Sequence, residues 1–150
     1  MIALDTNLLV YAESIKDAQN RHHRIRELIA LLSDGNSIIP LVVFGEFFNV
    51  CRKKKILSVE TAIRRVERYA ATFQTPSATE ADLIAAALLA DRHDLQFFDA
   101  LIVTVASRAG ATILLSEDMQ DGLQIDNLQI LNPFNPANLK EIVATIDPPS

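Results

Sequence analysis

The chain has 150 residues, 49% of them apolar, a formal charge of −5 at pH 7 and one cysteine, Cys51. That length and apolar share suit one domain with a single buried core, and four Gly with six Pro do not suit a low-complexity or repetitive chain. One cysteine excludes an internal disulfide and a multi-cysteine metal site, and the lack of a signal-like start or a membrane-length apolar run predicts a cytoplasmic protein with no membrane partner.

In chain order, Ile2–Leu4 predict a short buried strand that runs into a helix through Leu8, Leu9 and Tyr11, with Asp5 and Asn7 at the junction. Ile25, Leu28, Ile29 and Leu32 keep helical spacing in a segment from Ala18 that stops at Gly35. "SIIP" reads as a second buried strand. Residues 42–54 form the next helix, with Val43, Phe47, Val50 and Cys51 on its core face and Glu46, Asn49 and Lys53 on a separate polar stripe. Cys51 lies in the apolar stretch "FFNVC" and reads as a core filler.

Ser58 caps a helix running to Thr72, and "FQTP" is a short strand or an extended link. Ser77 with Glu80, and Thr79 with Asp82, both have capping-box spacing for an Ala-rich helix ending near His93. "FFDALIVTVASRAG" is apolar nearly all round and predicts a centrally buried helix closed by Gly110. "ATILLSED" is β-rich, a loop follows, "NLQIL" is a last strand, and the Pro-flanked tail holds one short helix before a frayed end. Phe44, Phe47, Phe48, Phe97 and Phe98 sit in apolar runs, which favours core packing over base stacking. Short buried strands alternating with helices predict an α/β fold with a central parallel sheet flanked by helices.

In such sheets ligands gather beyond the carboxyl ends of strands. Asp5 follows "IAL", Asp118 follows "TILLSE", Glu46 lies one turn into the helix after "SIIP", and Asp99 begins the buried central helix. Asp5 alone would serve as a helix cap, so the residue type by itself leaves structure and chemistry both open. Four carboxylates brought to one end of a sheet oppose each other's ionisation, and hard oxygen ligands of this kind match Mg²⁺ or Mn²⁺. Such a site lowers the pKa of a bound water and stabilises charge developing on a phosphoryl group.

"LDTNLLVYA" with Asp5, "FGEFFNV" with Glu46, "FFDALIVTVA" with Asp99 and "LLSEDMQDG" with Ser116 and Asp118, in that order, resemble the PIN domain family, and within it the VapC-type toxins of bacterial toxin–antitoxin pairs. The resemblance covers residues 1–132 and leaves 133–150 as a tail. It implies a three-layer sandwich and a Mg²⁺- or Mn²⁺-dependent endoribonuclease. Asp5, Glu46, Asp99 and Asp118 would be catalytic, with Asp5, Asp99 and Asp118 holding metal. Asn7, Asn49, Ser116 and Asp121 would be supporting groups. It also implies a homodimer and a cognate antitoxin. Asp94 stands where many relatives are expected to carry Gly, which a residue tolerant of the left-handed helix end can replace. Asp121 and Asp126 are additional acids for which loop solvation is the favoured use, Asp121 being the better candidate of the two to support the metal ligands.

The charge is segregated: residues 1–75 hold 11 Lys and Arg against 8 Asp and Glu, and residues 76–150 hold 3 against 11. Arg21, Arg24 and Arg26, then Arg52, Lys53, Lys54 and Lys55, then Arg64, Arg65 and Arg68 form clusters that are either solvated helix faces or a phosphate-binding rim. Because the second cluster starts two turns after Glu46, Arg52, Lys53 and Lys54 are expected to bind the RNA backbone. His22 and His23 are neighbours that point apart on a helix, so no zinc site is supported. The Walker loop, the dinucleotide fingerprint and the nucleophile elbow are all absent. A haloacid-dehalogenase-like phosphatase wants an acid where Asn7 stands, and a phosphate receiver wants a late lysine that "TILLSED" lacks. The remaining alternative is a noncatalytic PIN-like protein-binding module.

Overall fold

The computed structural model describes residues 1–15, 20–33 and 35–147. Its sheet is built from strands of two to four residues: β1 (Ile2–Leu4), β2 (Ser37–Ile38), β3 (Ile113–Leu115), β4 (Gln124–Ile125) and β5 (Leu128–Leu131). The spatial order is β2-β1-β3-β5-β4. β1 pairs in parallel with β2 and β3, and β3 in parallel with β5, so the two middle strands are buried on both faces.

The helices are α1 (Thr6–Glu13), α2 (Arg21–Ser33), α3 (Leu41–Lys53), α4 (Val59–Thr72), α5 (Glu80–His93), α6 (Phe97–Arg108) and α7 (Leu139–Ile146). The expected start of the second helix at Ala18 and the fraying of the chain end past residue 147 lie outside the described residues. The all-round apolarity of α6 has a direct cause. Ile102, Val103 and Ala106 join the core shared with the sheet, while Ala100, Leu101 and Val105 pack with Ala86 of α5 in a second cluster. α5 starts with the Thr79–Asp82 capping box, which satisfies two amide groups reciprocally. It ends at Asp94 in the left-handed conformation, φ 53°, as Asp in place of Gly allows. Cys51 is buried in the main core, where desolvation pushes its thiol up to about 11.

Two expectations need correction, and a third is made specific. The sheet is not wholly parallel: the segment read as a loop before the last strand contains β4, which pairs antiparallel with β5 around Asp126 at φ 51°. Two residues are too few for a periodic signal. "FQTP" contributes one parallel bridge, Gln74 to Ile38, at the edge beside β2. Finally, Phe97 and Phe98 are not core residues; they are 37% and 55% exposed and pack on each other edge-to-face with ring centroids 5.3 Å apart. They begin α6, ahead of the run from Ala100 to Ala106 that the core buries.

Candidate active site

The carboxyl ends of β1 and β3 lie side by side because the Asp5 amide donates to the Leu115 carbonyl at 3.1 Å. Asp5 is 4% exposed and caps α1. Its Oδ1 accepts the Thr6 amide at 2.7 Å and its Oδ2 accepts the Ser116 hydroxyl at 2.7 Å. Ser116 is fully buried, and its Oγ also accepts the Met119 amide at 3.3 Å. Asn7, half-buried in the first turn of α1, donates from Nδ2 to Asp118 Oδ2. Both sequence-flagged polar neighbours thus hold one carboxylate each.

Glu46 stands in the second turn of α3, with its Oε1 buried and without a hydrogen-bond partner. Asp99 is half-buried in the first turn of α6. Burial pushes the Asp5 carboxyl up to about 6, and the charges of Asp99 and Asp118 add to the push; the bonds from Ser116 and Thr6 act in the opposite sense. Glu46 is pushed up to about 7, first by burial and then by Asp5, Asp99 and Asp118, while the neighbouring Thr6 hydroxyl acts in the opposite sense. Asp99 is raised by burial and by Asp118. Four acids from β1, α3, α6 and the loop after β3 therefore share one electrostatic field. Bringing a cation among them would relieve the repulsion and give the Glu46 oxygen a partner. As they stand, among the described residues no group of three or more His, Cys, Asp or Glu is arranged to hold a metal ion.

Other flagged residues lie elsewhere. Both oxygens of Asp121 are engaged away from the acids, by the Asn132 amide and by Asn135 and Asn138 Nδ2, each at 2.8 Å. Asn49 is exposed on α3 and, among the described residues, makes no side-chain hydrogen bond. Arg52, Lys53 and Lys54 are exposed at the end of the same helix.

One group at the rim carries no sequence signal. Arg21 donates to the Tyr11 hydroxyl at 2.9 Å and to Glu117 Oε1 at 3.3 Å, and its guanidinium lies 4.2 Å from the Tyr11 ring centroid. Burial, with Glu117 beside it, pushes the Tyr11 hydroxyl up to about 12. Glu117 directly precedes Asp118, so a cation from α2 reaches the edge of the acidic pocket. Arg21 and Glu117 are 96 positions apart, and nothing local marks such a pair.

Several solved structures share this architecture. A toxin–antitoxin complex from Klebsiella pneumoniae aligns with a TM-score of 0.66 at 16% identity, covering 89% of this chain and 98% of that one. The sarcin–ricin-loop-cleaving toxin VapC20 of Mycobacterium tuberculosis gives 0.66 at 20% identity, covering 79% and 90%. The VapBC2 complex of Rickettsia felis, bound to a DNA fragment from its promoter, gives 0.62 at 20% identity, covering 88% and 98%. At these identities the likeness establishes the fold. No curated protein matches the sequence. The PIN domain model matches residues 2–120, a span that takes in Asp5, Glu46, Asp99, Ser116 and Asp118, and the chain therefore belongs to the PIN domain family.

Proposed function

We propose that this PIN domain is a Mg²⁺- or Mn²⁺-dependent endoribonuclease, the cytoplasmic toxin of a toxin–antitoxin pair, acting as a homodimer and held in check by a cognate antitoxin. The observation that carries the reading is the buried Glu46 oxygen without a satisfied hydrogen bond amid three other acids, whose charges add to the burial that raises its carboxyl to about 7. An all-oxygen donor set of this kind fits a hard divalent cation.

Asp5, Asp99 and Asp118 would hold the ion, which supplies charge stabilisation at the phosphoryl oxygens and a more acidic bound water. Ser116 fixes the orientation of Asp5 through the 2.7 Å bond, and Asn7 does the same for Asp118. Glu46, beside these ligands on α3, would orient the attacking water and accept its proton.

The test is cleavage of mixed cellular RNA and tRNA by the purified, partner-free protein with Mg²⁺ or Mn²⁺, with chelator, and as Asp5→Asn and Asp99→Asn variants. Metal-dependent cutting lost in both variants is expected. The second reading, a noncatalytic protein-binding module, draws on the lack of three assembled ligands among the described residues. A folded wild type that neither cuts RNA nor binds either metal would establish that reading instead.

A further inference from the structure

Between the outer face of α3 and the start of α4 lies a cavity of about 830 Å³, lined by Phe48, Asn49, Arg52, Lys55, Leu57 and Val59 among others. It opens one turn beyond Glu46 on the same helix. Arg52 is six residues past Glu46, which at about 1.5 Å per residue is about 9 Å along the axis. Around the helix, Asn49 is the lining residue nearest to Glu46, while Phe48, Arg52 and Lys55 are turned about 120° or more from it, so the cavity adjoins the acidic face of α3 only through Asn49.

Its cations are unpaired, as most of the described Lys and Arg are. Arg65 pairs with Glu13 at 3.1 Å and Arg108 with Asp82 at 2.9 Å. Arg52, Lys53, Lys54 and Lys55 are exposed and, among the described residues, have no ion-pair partner. Lys55 is also placed at a cost. α3 ends with the Ile56 amide bonded to the Cys51 carbonyl at 3.0 Å and Lys55 in the left-handed conformation, φ 53°. That arrangement usually takes Gly, since a side chain there costs about 1–2 kcal/mol. Here it puts an ammonium group on the cavity wall.

The rest of the lining complements the cations. Phe48 is half-buried and Val59 is 68% exposed, so both offer apolar surface to the cavity. The amide of Asn49, unengaged, can both donate and accept. Apolar surface for a base, cations for its phosphates and a free amide for its edge are the elements of single-strand recognition. We propose that this cavity is a nucleotide subsite, holding the single-stranded RNA segment that flanks the phosphodiester to be cut. Phe48 stacks the base, Arg52 and Lys55 take the phosphates, and Asn49 reads the base edge. The inference rests on the endoribonuclease reading for the cut itself, and on the cavity alone for binding.

The experiment measures fluorescence anisotropy of a short, labelled, sequence-randomised single-stranded RNA with the full chain in chelator, so that no cutting is required. Arg52→Gln with Lys55→Gln should weaken binding at least about tenfold and lower the salt slope by about 1.4, the value for two phosphates on a single strand. Arg92→Gln with Lys140→Gln, the same charge change elsewhere, should stay within about twofold. Val59→Trp, which fills the cavity without touching charge, should weaken binding and leave the salt slope alone. Asn49→Ala should broaden the sequences at the cut ends in the metal-containing reaction. Wild-type affinity in both the double variant and Val59→Trp overturns the subsite, even if cutting persists. A poly-glutamate peptide that displaces the label better than unlabelled RNA also overturns it and gives the cavity to an acidic protein segment. RNA binding that depends on the cavity in a protein that never cuts supports the subsite and removes the nuclease.

Discussion

Asp5→Asn should make the metal-free protein more stable at neutral pH. Asp5 is buried, and its carboxyl is raised from 3.8 to about 6. A group whose folded pKa lies above its unfolded value favours the fold at low pH and loses that contribution as pH rises through the folded value. Ionised Asp5 thus opposes folding by about 1 kcal/mol at about pH 4.5 and about 3 kcal/mol at about pH 7.5. Asn removes this opposition at every pH. It keeps one acceptor for the Thr6 amide but must rearrange the Ser116 bond, at a loss of about 1 kcal/mol. The variant should therefore match wild type near pH 4.5 and exceed it by about 2 kcal/mol near pH 7.5. Urea denaturation in chelator at the two pH values measures this. Added Mn²⁺ should then stabilise wild type and leave the variant unmoved. A variant less stable than wild type at the higher pH, or a difference that does not change with pH, would refute the claim that Asp5 is ionised against desolvation and like charge.

Three further outcomes are expected. Asp82→Ala breaks the Thr79 capping box and the 2.9 Å pair with Arg108 and should cost about 1–2 kcal/mol in thermal or urea melts. Since Arg108 holds the Asp82 carboxyl below its ordinary 3.8, that contribution is present above this value and lost as pH falls through the lowered one; the deficit of the variant should vanish in strong acid. Asp121→Ala releases Asn132, Asn135 and Asn138 together and should speed amide exchange through α7 while leaving α6 protected. Leu88→Lys, at a position 64% exposed on α5 near other exposed apolar residues such as Leu83 and Ile84, should shift sedimentation from dimer toward monomer; wild type sedimenting as a monomer would count against the proposed homodimer.

The legibility of this chain in sequence was uneven for physical reasons. Elements whose signal is local came through: the capping box of α5, the buried run of β3, and the two-sided apolarity of α6, which the structure traces to a sheet on one side and α5 on the other. The positions of the acids relative to strand ends were also readable, because the local apolar pattern marks where each strand stops and the next helix starts. What periodicity cannot carry is where an element ends in space. Phe97 and Phe98 have the composition of core residues and the location of surface ones. Asp121 has the composition of a site residue, and three asparagines engage it. The Tyr11, Arg21 and Glu117 group joins side chains from distant segments, a pairing that only the folded chain defines.

The bond from Ser116 to Asp5 spans 111 positions, and β1 can pair with β3 only after most of the chain exists. During synthesis Asp5 leaves the ribosome early, yet the pocket cannot close until Ser116 and Asp118 have followed it out of the exit tunnel. Every intermediate length carries some of the acids and none of the arrangement. A chain that is proposed to cut RNA is thus assembled next to the largest RNA in the cell in a form that cannot act on it. Such far-separated parallel pairing is also slow to form. Synthesis past Asp118, rather than any separate signal, is what first lets these acids meet.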